Sequence, residues 1–209
     1  SMACPNLAGF TALLKGELKT NAKYTSLWQG ANDTQSAVNL ANLTNNIMMS
    51  TATIVYDQDR LPYSPRKQGA GLANLVDSAK TQAYIITYDK DGNRMDKTKI
   101  ELGDDPQKTG VYELNFSIMN FGNASLTYDL GYYVMTEGVS ENKTSHGETT
   151  VTETAYILNG AQVVINSVGN GGSLSGSNIT VEAGKTVDVK VTITLSDEDK
   201  KYLDDSFKN

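Results

Sequence analysis

Val187, Val189, Val191, Ile193 and Leu195 alternate strictly with Asp188, Lys190, Thr192 and Thr194. Side chains of a strand point alternately to opposite faces, so this stretch can only be a strand with one buried face. Tyr112, Leu114, Phe116 and Ile118 repeat the pattern against Glu113, Asn115 and Ser117, and Leu126, Tyr128, Leu130, Tyr132 and Val134 suggest a third such strand. Shorter candidates lie at Tyr84 to Tyr88, Lys99 to Leu102, Tyr156 to Leu158, Gln162 to Asn166 and Asn178 to Val181.

Turn chemistry separates them. Asp91-Gly92 and Asn159-Gly160 are tight-hairpin signals, and Ala183-Gly184 closes a short turn before the Val187 strand. About seven strands over ~115 residues fit an immunoglobulin- or fibronectin-like antiparallel β-sandwich. The chain has one cysteine, Cys4, so the paired cysteines of immunoglobulin domains are missing and a fibronectin type III-like module is the better comparison. Ser196-Asp197-Glu198-Asp199 is a capping-box pattern that predicts a short helix through Tyr202 and Leu203.

Before residue 80 the chain has a different character. Ala, Asn, Leu and Met recur there at helical spacing, which predicts a helical unit over 1–80 followed by the sandwich over 81–209. Leu7, Phe10, Leu13 or Leu14, and Leu18 define an amphipathic helix to about Lys19, with Pro5 in its first turn, where a missing N–H costs nothing. Cys4 sits within this helix and is expected to be a small buried thiol. Ser1 stands just ahead of the helix N-terminus, where backbone N–H groups and the macrodipole favour negative charge. A serine alkoxide or a tetrahedral oxyanion needs that environment. A plainer reading makes Ser1 a remnant of a purification tag, and the small residues around it a means of close helix packing.

The opening Ser1-Met2-Ala3-Cys4-Pro5-Asn6-Leu7-Ala8-Gly9 resembles the nucleophile motif of subtilisin-like serine proteases. Leu43 to Ala52, with its methionines and Thr51-Ala52, is similar to the end of the second helix in that family. Gln68-Gly69-Ala70-Gly71-Leu72-Ala73-Asn74-Leu75 is similar to the glycine segment that follows it. Three motifs in this order, with a fibronectin-like module behind them, resemble the cell-envelope subtilases: the lactocepins and the streptococcal complement-inactivating peptidases. The resemblance implies a mainly β chain with an α-helical N-terminal segment, in which the C-terminal helices of a subtilase catalytic domain precede the sandwich. It also implies Ser1 as the catalytic nucleophile, hydrolysis of extracellular proteins through an acyl-enzyme, no cofactor, and a secreted or wall-attached location. In the resembled module a further strand follows the last helix, and its loss would leave a sheet edge unpaired.

Such a serine needs a base, itself oriented by a third group. The family places its Asp, His and oxyanion Asn upstream of the serine. The single histidine here, His146, lies downstream in a polar loop over 141–150, and its neighbours Ser145 and Gly147 do not form the family's histidine motif. The chain by itself is therefore expected to be inactive, its partners being the missing part of the protease domain and the parent's protein substrate. The alternative is a non-catalytic substrate-binding or spacer module of a cell-surface protein. A serine acting with its own α-amine, which titrates near ~8, would be an N-terminal nucleophile. Such enzymes seat that residue on a strand.

The net charge of −6 argues against nucleic acid or an anionic membrane as partner, and no apolar run approaches the ~18 residues of a membrane span. Asp89, Asp91, Asn93 and Asp96 resemble a calcium loop in spacing, but Gly92 is misplaced for one, so a hairpin turn explains them better. Gly169 to Ser177 reads as a flexible loop. Of adjacent Tyr132 and Tyr133, one must face outward on a strand, as a protease contact or an exposed aromatic. Without a covering sheet, Leu7, Phe10, Leu13 and Leu14 cannot all be buried, so the helix is expected to self-associate or to fold back on the sandwich.

Overall fold

The structure, a computed structural model, describes residues 2–206. Its helical part contains α1 (Ala3–Thr20), a 3-10 turn (Ala22–Tyr24), α2 (Thr25–Trp28), α3 (Asp33–Ser50), α4 (Pro65–Gln68) and α5 (Leu75–Lys80). Nine strands follow: β1 (Ala83–Thr87), β2 (Val111–Asn120), β3 (Leu126–Asp129), β4 (Met135–Lys143), β5 (Thr149–Ile157), β6 (Gln162–Val168), β7 (Gly172–Ser175), β8 (Asn178–Val181) and β9 (Thr186–Thr194). The last described element is α6 (Asp197–Ser206).

Every strand pairing is antiparallel, in a four-stranded sheet β1-β2-β9-β6, a three-stranded sheet β3-β8-β7 and a separate ribbon β4-β5. The two larger sheets face each other across a core of Ile118, Ile179, Val181, Val187, Val189 and Val191. Phe116 and Leu114 of β2 and Val163, Ile165 and Val168 of β6 close that core. The step from Ile165 to Val168 is odd, and a β-bulge between Ile165 and Ser167 absorbs the extra residue, returning Val168 to the inner face. This is the fibronectin-like sandwich that the alternating strands predicted.

β1 is covered on both sides. Ala83 joins the sandwich core, while Tyr84 and Ile86 point the other way into a second core with Leu14, Leu18, Tyr24, Leu40, Leu43 and Ile47. The helical segment thus lies against the outer face of β1, with α1 on α3 and α5, and α3 on the strand. Loss of alternation in Ala83-Tyr84-Ile85-Ile86 follows directly, because a strand buried on both faces has no polar side.

Several expectations need correction. The strand expected over Leu126 to Val134 ends at Asp129; Gly131 and exposed Tyr132 and Tyr133 carry the chain across to β4. Lys99 to Leu102 is not a strand, since no neighbour offers it a ladder. The polar loop expected over 141–150 is confined to the turn between Lys143 and Thr149, and the rest of that stretch is paired ribbon, because threonine and valine on both arms favour extended backbone. The glycine-rich stretch before Ser177 contains β7, turned into β8 at Gly176 with φ +62°. Asn159-Gly160 does turn the chain, but the strands it joins, β5 and β6, belong to different sheets.

Candidate functional site

Ser1 lies outside the described residues. The helix behind it begins at Ala3 with no side-chain cap and no acidic residue in its first turn, so its leading N–H groups have no acceptor from such a side chain. Met2 is 88% exposed, and Ala3 to Gly9 are all exposed. Leu14 and Leu18 are buried, Phe10 is half-buried, and Leu7 and Leu13 remain exposed, Leu13 at 65%. Cys4 is exposed, contrary to expectation, because nothing in the described residues packs over the first two turns of α1.

The glycine segment is a staple for the loop that leaves α3. Thr53 and Leu72 exchange both backbone hydrogen bonds at 2.8 Å, and Gly71, with φ +121°, fits against them only without a side chain: a Cβ there would meet the Thr53 carbonyl oxygen at 2.4 Å. Gln68 accepts from the Val55 N–H at 2.8 Å and donates to the Tyr63 carbonyl at 2.5 Å. Asn74 caps α5 by accepting from the Asp77 N–H. These contacts give the motif a scaffolding role.

His146 sits at the exposed turn of the β4-β5 ribbon, with Nδ1 3.3 Å from Ser145 Oγ. The ribbon is held from both sides. On one, Arg66 and Lys67 of α4 pair with Glu137 and Glu153 at 3.0 and 3.5 Å. On the other, Tyr156 stacks on Tyr202 of α6, with ring centroids 3.7 Å apart. Tyr133 meets Tyr56 of the helical part edge-on, and the hydrogen bond between their hydroxyls holds the Tyr56 phenol above its ordinary pKa.

Asp89 accepts from the backbone N–H groups of Asp91 and Asn93 and from the Asn93 side chain, which holds its carboxyl below the usual range. That is a turn clasp. Among the described residues no group of three or more His, Cys, Asp or Glu side chains is placed to hold a metal ion, and no helix is long and apolar enough to cross a membrane.

One feature had no signal in the sequence. Where β1 and β3 face each other, the sandwich opens into a cleft of about 590 Å³, walled by Ala83, Ile85, Phe116, Ile118, Leu130 and Ile179. Lys80, Asp77 and Asp129 stand at its rim, and burial pushes the Tyr128 phenol in its wall above the ordinary value. Strand periodicity shows which side chains face inward, but not whether the two sheets meet.

Two facing antiparallel sheets, with the first strand clamped by a helical layer, define a fibronectin-like module joined to a helical unit. The chain belongs to the Fn3-like domain family, whose sequence pattern matches residues 100–207. It is 27% identical over 202 residues to the PI-type proteinase of Lactococcus lactis subsp. cremoris, covering 93% of this chain and 9% of that protein. The same identity and coverages hold for the PII-type proteinase of Lacticaseibacillus paracasei. The C5a peptidase of Streptococcus pyogenes is 28% identical over 96 residues, 46% of this chain and 7% of that protein. The chain therefore spans less than a tenth of the length of these relatives.

Proposed function

We propose that this chain is the junction of a secreted or wall-attached subtilisin-like endopeptidase, joining the helix behind its nucleophile to the Fn3-like module. Alignment with cell-envelope proteinases over 93% of the chain, helices included, carries this reading. The exposed, uncapped start of α1 directly behind Ser1 supports it, since developing negative charge is favoured there. Ser1 Oγ would attack the scissile carbonyl, with base and orienting acid supplied by other parts of the parent. On this reading the single histidine of the chain, His146, which follows the serine in sequence and stands in the exposed turn of the β4-β5 ribbon, has no part in the triad. Exposed Leu7 and Leu13 fit a helix covered by the remainder of a protease domain or, without it, by a second copy.

Fluorophosphonate labelling tests this reading. The isolated chain should stay unlabelled, whereas the full-length parent should label at Ser1 and lose the label on Ser1→Ala. Robust labelling of the isolated chain would remove the claim that it is inactive alone; a parent gene without protease motifs upstream would leave the second reading, a non-catalytic binding or spacer module, which the Fn3-like match over 100–207 favours.

A further inference from the structure

The chain contains two Asn-Gly steps, Asn159-Gly160 and Asn170-Gly171, and the asparagine is exposed in both. Each step forms the centre of a four-residue turn: the Ala161 N–H donates to the Leu158 carbonyl at 3.3 Å, and the Gly172 N–H donates to the Gly169 carbonyl at 3.2 Å. Their surroundings differ. The Gly160 N–H donates to Asp199 Oδ1 at 3.4 Å, and Gly160 is wedged against the start of α6, where a Cβ would run into Ser196 Oγ and Asp199 Oδ2. The peptide between Asn170 and Gly171 is not held in this way: its N–H and its carbonyl meet no protein partner among the described residues. Gly171, at φ +86°, and Asn170, outside the left-handed region, form a type II turn. The central peptide of that turn can rotate about its two flanking bonds without breaking the hydrogen bond that closes it, because the glycine accepts either sign of φ. The same rotation leaves the 2.8 Å bond from the Glu182 N–H to the Gly171 carbonyl in place.

We propose that Asn170 is a site of spontaneous modification, at which the folded chain converts its side-chain amide to aspartate and isoaspartate while Asn159 is spared. Rotation of the unheld peptide brings the Gly171 nitrogen against Asn170 Cγ. An N–Cγ bond forms, the Cγ–Nδ2 bond breaks, and ammonia leaves with the amide proton of Gly171, giving a five-membered succinimide. Water then opens the ring. Addition at Cγ restores the backbone and leaves aspartate, and addition at the backbone carbonyl carbon leaves isoaspartate, with the chain running through Cβ. Nothing is oxidised or reduced. At Asn159 the same attack has first to break the bond to Asp199 and to move Gly160 off α6. The place of the product matters, because the Asn170 turn carries the chain from β6 in one sheet to β7 in the other. That turn gains a negative charge, and isoaspartate adds a backbone atom close to Gly172, which has no room for even a Cβ beside Val168 and Val187. The site stands on the sandwich and does not depend on the protease reading.

The folded whole chain, held in mildly alkaline buffer and sampled over time, is digested and mapped by mass spectrometry, with an isoaspartyl methyltransferase to count isoaspartate. Conversion is expected at Asn170, and at Asn159 it should be slower by about tenfold or more, the difference made by an N–H bound to a carboxylate. In the urea-unfolded chain the two steps should convert at similar rates, because the contacts that separate them are gone. Asn170 remaining intact in the folded chain, Asn159 converting as fast as Asn170, or the same gap persisting in urea would each overturn the proposal.

Discussion

The rings of Tyr24 and Phe121 meet edge-on with centroids 5.9 Å apart, and on its other side Phe121 packs on Tyr84 at 6.1 Å. Phe121 follows the last residue of β2, while Tyr24 belongs to the turn between α1 and α2, so this cluster ties the helical layer to the sandwich.

Phe121→Ala removes the wedge. Loss of about 2–4 kcal/mol is expected for truncating a large aromatic packed on a core. Urea unfolding should show it, and the helical signal should melt ahead of the β signal, because the helices lose their anchor. Coincident transitions with unchanged midpoints would contradict the role given to this residue.

Asn120 is wholly buried, and its side chain joins three segments. Nδ2 lies within hydrogen-bond distance of the carbonyls of Ala124, Val181 and Glu182, and Oδ1 accepts from the Gly122 N–H. Asn120→Ala strands those carbonyls and should cost about 2–4 kcal/mol, read from chemical denaturation. A cost below ~0.5 kcal/mol would mean that solvent reaches these groups.

The Tyr156–Tyr202 stack holds a two-stranded ribbon, which is marginal by itself. Tyr202→Ala should weaken hydrogen-exchange protection of β4 and β5 by about 1 kcal/mol, with β2 and β9 unaffected. Uniform loss across all strands would instead place Tyr202 in the global core.

Asp105 accepts from the N–H groups of Gly110 and Thr109, which hold its carboxyl below the ordinary aspartate value. A depressed folded pKa means that this clasp contributes fully above the unfolded value of ~3.9 and is lost as pH falls through the lower folded value. Amide shifts of Thr109 and Gly110 should therefore titrate with a midpoint under ~3.9 and stop titrating in Asp105→Asn. A midpoint at or above the ordinary value would refute the clasp.

Much of the architecture was legible because it is local. The capping box closes as written: Ser196 Oγ accepts from the Asp199 N–H at 3.1 Å, and the Asp199 carboxylate accepts from the Ser196 N–H at 3.2 Å. The inner face of β9 is the one its alternation marked, and Val187, Val189 and Val191 are all buried. The ribbon was illegible because glutamates interrupt the apolar residues on one of its faces, where Glu137, Glu141 and Glu153 stand among Val139, Val151 and Ala155, and the other face is mostly Thr, Ser and Asn. The exposure of Cys4 was illegible because helical spacing marks an apolar side without showing whether anything covers it. Asn46 is a similar case: fully buried in α3, it leaves Oδ1 without a protein partner among the described residues, which its polar side chain gave no reason to expect.

By itself the sequence determined periodicities, caps and turns, and therefore an amphipathic helix followed by an antiparallel sandwich. Only the tertiary structure decided which face meets which: β1 shared between two cores, the chain leaving β3 at Asp129, and the sheets parting to form the cleft. The physical reason is that a repeat of two or 3.6 residues records how many sides of an element avoid water, whereas the element that covers each side is set by contacts far apart along the chain.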